Sequence, residues 1–208
     1  MSHHVELSGT GVVQTAPDIA TMRLGVSYPA KTVGDALEGC AELSTKVLGA
    51  LKALDIAARD IRTTSLSVDP MWGENSEITG HTANQYLNVR LRAVTKIGDA
   101  IGAASAAAGN ALRMDSLTWS ISNPEPLVAQ ARDLAYADAL DKAQQLAKLS
   151  GRKLGRVLRA SESSGGGNFG YGGGQMMKVE RAMAADMPAE GGEQELSVTV
   201  QVRWELID

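Results

Sequence analysis

The sequence contains one cysteine and three histidines, and this scarcity excludes several kinds of chemistry. Cys40 has no partner in the chain, so no internal disulfide can form. We expect His3 and His4 to belong to a processing scar, which leaves His81 as the remaining histidine. A zinc site needs three or four histidine, cysteine or carboxylate ligands, and a hydrolytic triad needs a histidine oriented by a carboxylate. We therefore predict no catalytic residues, no conventional metal site and no cofactor.

Basic clusters, long apolar runs and aromatic residues are also scarce. The chain has 20 Lys and Arg against 24 Asp and Glu, for a net charge of −4. A nucleic-acid-binding protein needs a positive footprint, so we predict no nucleic acid partner. No apolar run approaches about 18 residues, so we predict no transmembrane segment. No signal peptide is recognisable in the sequence either. Because aromatics make up only 4% of the residues, the core must consist mainly of Ala, Val, Leu and Ile.

Hydrophobic periodicity divides the chain into ten elements. Apolar residues at every second position predict strands, and apolar residues at every third or fourth position predict helices. The order β-β-α-β-β-α-β-α-β-β favours an α+β fold, with two long helices and one shorter helix packed on a mixed or mainly antiparallel sheet. The predicted strands cover residues 5–13, 20–28, 61–68, 87–93, 117–121, 154–160 and 196–206, and the predicted helices cover 33–54, 96–108 and 124–149.

Polar and glycine residues indicate where these elements begin and end. We expect Thr32 to cap the first helix, and Asn123 to cap the third with Pro124 at its first position. Gly109 is a favourable end for the second helix. The third helix is predicted to end at Ser150 and Gly151.

Several strand boundaries are also predicted from local sequence. Gly9 and Gly11 are expected to break the first strand, and Asp69–Pro70 to close the third. A polar loop is predicted over residues 72–80, with His81 at its end as a surface residue.

Cys40 and the pair of Asp138 with Lys142 have ordinary structural interpretations. Cys40 lies among Leu and Val on the apolar face of the first helix, where a cysteine is usually a small core residue, since reactive cysteines occupy exposed, electropositive places. Asp138 and Lys142 are four residues apart in the order that favours a surface ion pair on a helix. We interpret the charges of this helix as a solvated surface and not as a catalytic acid pair.

Residues 163–192 are rich in Gly, Met and Ala without periodicity, and we predict a flexible loop there. The glycine run at 165–174 lacks the Lys-Ser/Thr of a phosphate loop, so a linker is the preferred interpretation. Thioether sulfurs suit Cu(I) and absorb oxidants reversibly. A soft-metal or oxidant-buffering role is therefore an alternative hypothesis, with the candidate ligands Met176, Met177, Met183 and Met187.

Several short motifs, taken in order, resemble the SIMPL domain family. They are Gly9-Thr10-Gly11 with Ala16-Pro17-Asp18-Ile19-Ala20, the segment 60–70 (DIRTTSLSVDP), the segment 80–84 (GHTAN), the segment 107–110 (AAGN), and the helix residues 135–147 followed by 151–155 (GRKLG). The alternating strand after Pro188 also agrees with the family pattern. The similarity covers nearly the whole chain, so we predict a single SIMPL-like domain over residues 1–208.

The resemblance implies a non-enzymatic bacterial cell-envelope protein, periplasmic or secreted, which includes the YggE-like and periplasmic immunogenic proteins. It also implies a link to the stress response and assembly into large oligomers in some members. We therefore expect a self-assembling or binding module that forms a homo-oligomer, with an envelope protein as a further possible partner. A hydrolase or transferase with an unrecognised site is the other alternative. The Gly- and Met-rich segment departs from the more compact family pattern.

Overall fold

The computed structural model describes residues 3–162 and 191–208. Within these ranges the helices and strands follow the order predicted from the sequence, and the α+β class is confirmed. The elements are β1 (His4–Thr15), β2 (Ile19–Ala30), α1 (Val33–Ala53), β3 (Ile61–Trp72), β4 (Ile78–Leu91), α2 (Ile97–Ala108), β5 (Leu112–Ser120), α3 (Glu125–Leu149), β6 (Lys153–Glu162) and β7 (Gln194–Ile207). Short 3-10 helices at Ala58–Asp60 and Val94–Lys96 precede β3 and α2.

The described residues form two compact units, each with its own sheet and core. The first unit comprises residues 3–16, 122–162 and 191–208, and its three strands pair in the order β1-β7-β6. The second unit comprises residues 17–121, and its four strands pair in the order β3-β4-β2-β5. All these pairings are antiparallel. The expectation that residues 1–208 make a single domain stays a prediction.

In the first unit, α3 contacts the backbone of β1 at two glycines. A Cβ atom added at Gly9 or Gly11 would overlap main-chain atoms of α3, so only glycine permits this approach. The facing side of α3 is a fully buried row of alanines at every fourth position, Ala131, Ala135, Ala139, Ala143 and Ala147. The prediction that the two glycines break the strand was wrong, because β1 is continuous and the glycines are its contact points with the helix.

The outer edge of β1 is covered by two side chains of α3. The Thr10 N–H donates to Asp138 Oδ2 at 2.9 Å, and Lys142 Nζ lies 3.4 Å from the Ser8 carbonyl oxygen. Lys142 also donates to Asp138 at 2.6 Å, which confirms the predicted ion pair. An uncovered strand edge presents donors and acceptors to other chains. Asp138 and Lys142 therefore occupy hydrogen-bonding groups that β1 would otherwise offer to another strand.

The contact with Asp138 predicts a pH dependence of stability. Hydrogen bonds from Lys142, and then from the Thr10 N–H, lower the pKa of Asp138. A carboxyl whose pKa is lower in the folded state stabilises the fold fully above its unfolded pKa of about 3.9, and this contribution is lost as pH falls through the folded value. We expect Asp138→Asn to lower the free energy of unfolding at pH 7, and the difference from the wild type to shrink near pH 3.

Urea unfolding at pH 7, 5 and 3 measures this effect. The matched control is Asp141→Asn, which removes the same charge from an exposed position one turn further along α3. The control is expected to unfold like the wild type at all three pH values. A stability difference for Asp138→Asn that stays constant between pH 7 and pH 3 contradicts the assigned role.

In the second unit, α1 and α2 contribute to a core with β2 and β4. The largest buried side chains of this core include Met22, Leu24, Leu51 and Ile97. The start of α1 is capped as predicted, since the Asp35 N–H donates to the Thr32 hydroxyl at 3.2 Å. Gly109 at the end of α2 and Gly151 after α3 both have positive φ, as the sequence predicts for helix ends.

Two predicted boundaries were wrong. β3 continues through Asp69–Pro70 to Trp72, because a proline is tolerated on an edge strand, where the missing N–H removes no hydrogen bond of the ladder. The N-cap of α3 is Pro124 and not Asn123. This start places Pro126 at the second helical position, where a backbone N–H would have no acceptor within the helix.

Candidate functional site

The candidate methionine site lies outside the described residues. Met176, Met177, Met183 and Met187 all fall between residues 163 and 190, and so does the glycine run at 165–174. The predicted loop at 163–192 enters the described residues only at its end, which leads directly into β7. The soft-metal hypothesis and the flexible loop therefore stay predictions.

Cys40 occupies the core, as its place on the apolar face of α1 predicts. Its side chain is buried, and Sγ lies 3.7 Å from the Val26 carbonyl oxygen, to which the thiol donates. Burial raises the pKa of the Cys40 thiol, although hydrogen bonds with Ser44 and the Gln85 backbone act in the opposite direction. A thiolate is the nucleophilic form of cysteine. Cys40 is therefore held as a thiol, which suits a core residue.

His81 lies in a strand, and the prediction of a loop position was wrong. It is part of β4, the strand between β2 and β3, where it pairs with Ala30 on one side and with Pro70 on the other. The sequence did not predict a strand here because the neighbouring residues Thr82 and Asn84 are polar. These two side chains lie on the face of the sheet opposite the core. Its Nδ1 is buried and accepts or donates no hydrogen bond within the described part of the chain.

The hairpin formed by β3 and β4 exposes large apolar side chains. They are Leu66, Met71, Trp72 and Ile78, and we call the pair Trp72 and Ile78 the hairpin surface, because Met71 points to the opposite face of the strand from Trp72 and Leu66 lies six residues away. Leu66, Trp72 and Ile78 are 61%, 63% and 53% exposed, and Trp72 and Ile78 are paired across the two strands near the turn. Clustered exposed apolar side chains commonly mark interaction sites, whereas single ones need no explanation. The hairpin surface is therefore a candidate contact site.

The strand edges of the two sheets differ in how open they are. The edge of β1 is covered by α3, as described above, and β6 has two register shifts within its pairing to β7. Such bulges bend and twist an edge, and they interrupt further pairing. β5 has nine residues and one register shift against β2. β3 is longer, with twelve residues; it has two register shifts against β4, and Trp72 of the hairpin surface lies at its end.

One cavity in each unit is lined by charged residues. In the first unit, a slot of about 200 Å³ lies between α3 and the strands β6 and β7, and an ion pair between Arg132 and Glu162 lies at this slot. In the second unit, a cleft of about 270 Å³ includes Asp60, which accepts two hydrogen bonds from Arg92. Hydrogen bonds from these arginines lower the pKa of both acids, Glu162 and Asp60. Both carboxylates are therefore held ionised.

The described residues contain neither a cluster of metal-ligating side chains nor a helix suited to cross a membrane. Within residues 3–162 and 191–208, no group of three or more His, Cys, Asp or Glu side chains is placed to hold a metal ion. In the same ranges, no helix combines the length and the apolar character needed to cross a membrane. The expectation that the protein is not an enzyme stays a prediction.

The sequence interpretation missed the hairpin surface and the cleft for different reasons. Trp72 and Ile78 fall in the stretch assigned to a polar loop, although two large apolar residues flanking the polar residues 73–77 could have indicated a hairpin. The basic residues of the cleft are dispersed between residues 59 and 96. Only the pairing of β3 with β4 and the end of α1 bring them together, and composition carries no signal of this kind.

The comparisons with known proteins agree with the resemblance found in the motifs. The SIMPL family model, described as a protein of unknown function (DUF541), matches residues 5–204. The 26 kDa periplasmic immunogenic protein of Brucella melitensis is 31% identical over 168 residues, which cover 77% of this chain and 66% of that protein. The uncharacterized protein YggE of Escherichia coli K12 is 31% identical over 157 residues, covering 74% of this chain and 63% of that protein.

These alignments leave about a third of each relative's length unmatched. The family model, in contrast, extends from the second residue of β1 to the buried Trp204 of β7, and so includes strands of both units. Because the model matches almost the whole chain, the family assignment does not depend on one motif. The chain belongs to the SIMPL family.

Proposed function

We propose that this protein is a non-enzymatic cell-envelope protein of the bacterial periplasm that self-associates through the β3–β4 hairpin. The observation that carries the proposal is the hairpin surface, where Trp72 and Ile78 are paired and mostly exposed at the end of a long edge strand. The relative named as a periplasmic immunogenic protein supports the location. The link to the stress response rests on the family resemblance alone and stays a prediction.

A second copy of the chain is the occupant that best suits this surface. An edge strand can add a strand from another subunit through its backbone groups, and apolar side chains beside it supply contact area. The covered edge of β1 and the shorter edges of β5 and β6 are less suited to such pairing. Pro70 lacks an N–H, so we expect the side chains of Trp72 and Ile78 to provide the contacts near the turn. We expect the backbone to contribute between Ser65 and Asp69, away from the two register shifts of β3.

The electrostatics of the two cavities support a non-enzymatic role. A general acid or base works best when its pKa lies near the operating pH. Hydrogen bonds from Arg92 and Arg132 lower the pKa of Asp60 and of Glu162, and so move both pKa values further from neutral pH. Each acid is also held by an arginine side chain, which suits a structural contact better than proton transfer.

A double substitution in the hairpin tests the assembly. We expect the wild type to sediment as an oligomer at micromolar concentration, and Trp72→Ser combined with Ile78→Ser to weaken self-association at least about tenfold, since buried aromatic and aliphatic anchors dominate interface energies. Sedimentation velocity over a hundredfold range of concentration provides the measurement. Both residues are mostly exposed, so folding of the variant is expected to be preserved, which circular dichroism verifies.

The control is Leu149→Ser, which removes an apolar side chain that is 76% exposed at the end of α3, outside the hairpin. This variant is expected to assemble like the wild type. A wild type that stays monomeric across the whole range overturns the proposal. Unchanged assembly of the hairpin double variant overturns the choice of surface.

A further inference from the structure

A cleft in the second unit concentrates positive charge, although the chain as a whole carries a net charge of −4. It lies where the end of α1, the end of β4 and the 3-10 helices at Ala58–Asp60 and Val94–Lys96 meet. Four basic and two acidic residues line it, so its net charge is two positive units. These residues are Arg59, Arg90, Arg92 and Lys96, with Asp55 and Asp60.

Two of the basic residues already have partners within the protein. Arg92 donates two hydrogen bonds to Asp60, from Nε at 2.9 Å and from a terminal nitrogen at 2.8 Å, which makes a bidentate pair. Lys96 Nζ donates to the Leu54 carbonyl oxygen at 3.0 Å, at the end of α1. These contacts fix the walls of the cleft, and they leave Arg92 with little charge to offer a ligand.

The side chains of the other two basic residues, Arg59 and Arg90, make no hydrogen bond or ion pair within the part of the chain that the structure describes. The charges of Arg59 and Arg90 nevertheless both act on Asp60. The pKa of Asp60 is lowered chiefly by the hydrogen bonds from Arg92, and the charges of Arg59 and Arg90 lower it further. Arg59 and Arg90 therefore both line the cleft, and both carry a positive charge within electrostatic range of Asp60.

The remaining lining of the cleft is apolar. Leu54, Ile56 and Leu91 contribute to it, and Ile56 and Leu91 are buried. A cavity of about 270 Å³ lies just below the range typical of ligand sites, which begins at about 300 Å³, so only a small ligand fits. An apolar floor beside two guanidinium groups suits a small organic anion better than a bare inorganic ion.

We propose that this cleft binds a small soluble phosphate monoester, with the phosphate between Arg59 and Arg90 and the organic part on the apolar floor. A phosphate monoester carries close to two negative charges at pH 7 and has three terminal oxygens that accept hydrogen bonds. It thereby matches the two unpaired positive charges. Guanidinium groups bind such oxygens in a planar, two-pronged geometry. A monocarboxylate offers one charge and two oxygens, and it leaves one arginine without a partner.

Calorimetric titration of the full chain with phenyl phosphate tests this site. We expect saturable binding, at least about tenfold tighter than that of inorganic phosphate, because the phenyl group covers the apolar floor. Arg59→Gln and Arg90→Gln are each expected to weaken the affinity for phenyl phosphate at least about tenfold. Glutamine keeps part of the side-chain length, and circular dichroism verifies that each variant is folded.

The matched control is Arg62→Gln, which removes one exposed positive charge from β3 outside the cleft. Its affinity for phenyl phosphate is expected to stay within about twofold of the wild type, since long-range charge effects are screened at physiological salt. Succinate provides the second comparison and is expected to bind more weakly than phenyl phosphate. The proposal is overturned by no binding up to about 10 mM, by equal losses in Arg62→Gln and Arg90→Gln, or by tighter binding of succinate.

Discussion

Gly11→Val is expected to destabilise the protein by about 3 kcal/mol. Any Cβ at this position overlaps the Ala131 carbonyl oxygen and lies 2.5 Å from the Ala135 backbone nitrogen. Because these are main-chain atoms of α3, no side chain can rotate away, and the helix itself must move off β1. Overpacking of a core typically costs about 1–3 kcal/mol, and a backbone clash lies at the upper end of this range. Urea unfolding followed by circular dichroism measures the change.

Replacing a glycine that has open space around it is expected to increase stability, and such a substitution serves as the control. Gly49 lies within α1, and a Cβ added there meets nothing within 4 Å. Alanine is about 0.5–1 kcal/mol more favourable than glycine inside a helix, so Gly49→Ala is expected to stabilise the protein by about that amount. If Gly11→Val unfolds at the same urea concentration as the wild type, the close contact between β1 and α3 does not exist in solution.

Trp204→Ala is expected to cost about 3–5 kcal/mol, the range for truncating a buried aromatic residue to alanine. Trp204 is 2% exposed in the middle of the core of the first unit. Its ring lies 6.2 Å from that of Tyr136 on α3, tilted by 55°, an arrangement that aromatic pairs favour. Because aromatics are scarce in this chain, the surrounding alanines and valines are too small to fill the space that the indole leaves.

Trp72→Ala is the control for this substitution, because it removes the same side chain from a position that is mostly exposed. Its free energy of unfolding is expected to stay within about 0.5 kcal/mol of the wild type when measured at a concentration where the protein is monomeric. Tryptophan fluorescence distinguishes the two sites, since Trp204 reports an apolar environment and Trp72 a wet one. Similar losses of stability for the two variants contradict the assigned burial.

The order of helices and strands was predictable because each element carries a strong local signal. β7 alternates buried and exposed residues along most of its length, and α3 repeats alanine at every fourth position. Strand pairing carries a weaker signal. The sequence predicted one sheet, whereas β1 pairs with β7 and β2 pairs with β4 and β5 in a separate sheet. Partner choice depends on contacts between residues that are distant in the chain, and periodicity does not report them.

Local composition misled the prediction wherever tertiary contacts gave a residue a different role. Gly9 and Gly11 resemble strand breakers until α3 is placed against them. Pro70 resembles a strand end unless β3 is known to lie at the edge of its sheet. The contacts of Asp138 illustrate the same limit, because the helix periodicity predicted its pair with Lys142 but could not predict the hydrogen bond from Thr10.

The pairing of β1 with β7 has a consequence for synthesis of the chain. Val5 lies opposite Trp204, so these neighbours are separated by about 200 residues in sequence. Residues 17–121, in contrast, contain every strand of the four-stranded sheet. The second unit can therefore fold before β7 has been synthesised, but β1 must wait for its partner until the ribosome has translated β7. During that interval, β1 is an unpaired nascent strand that a chaperone or a targeting factor can bind.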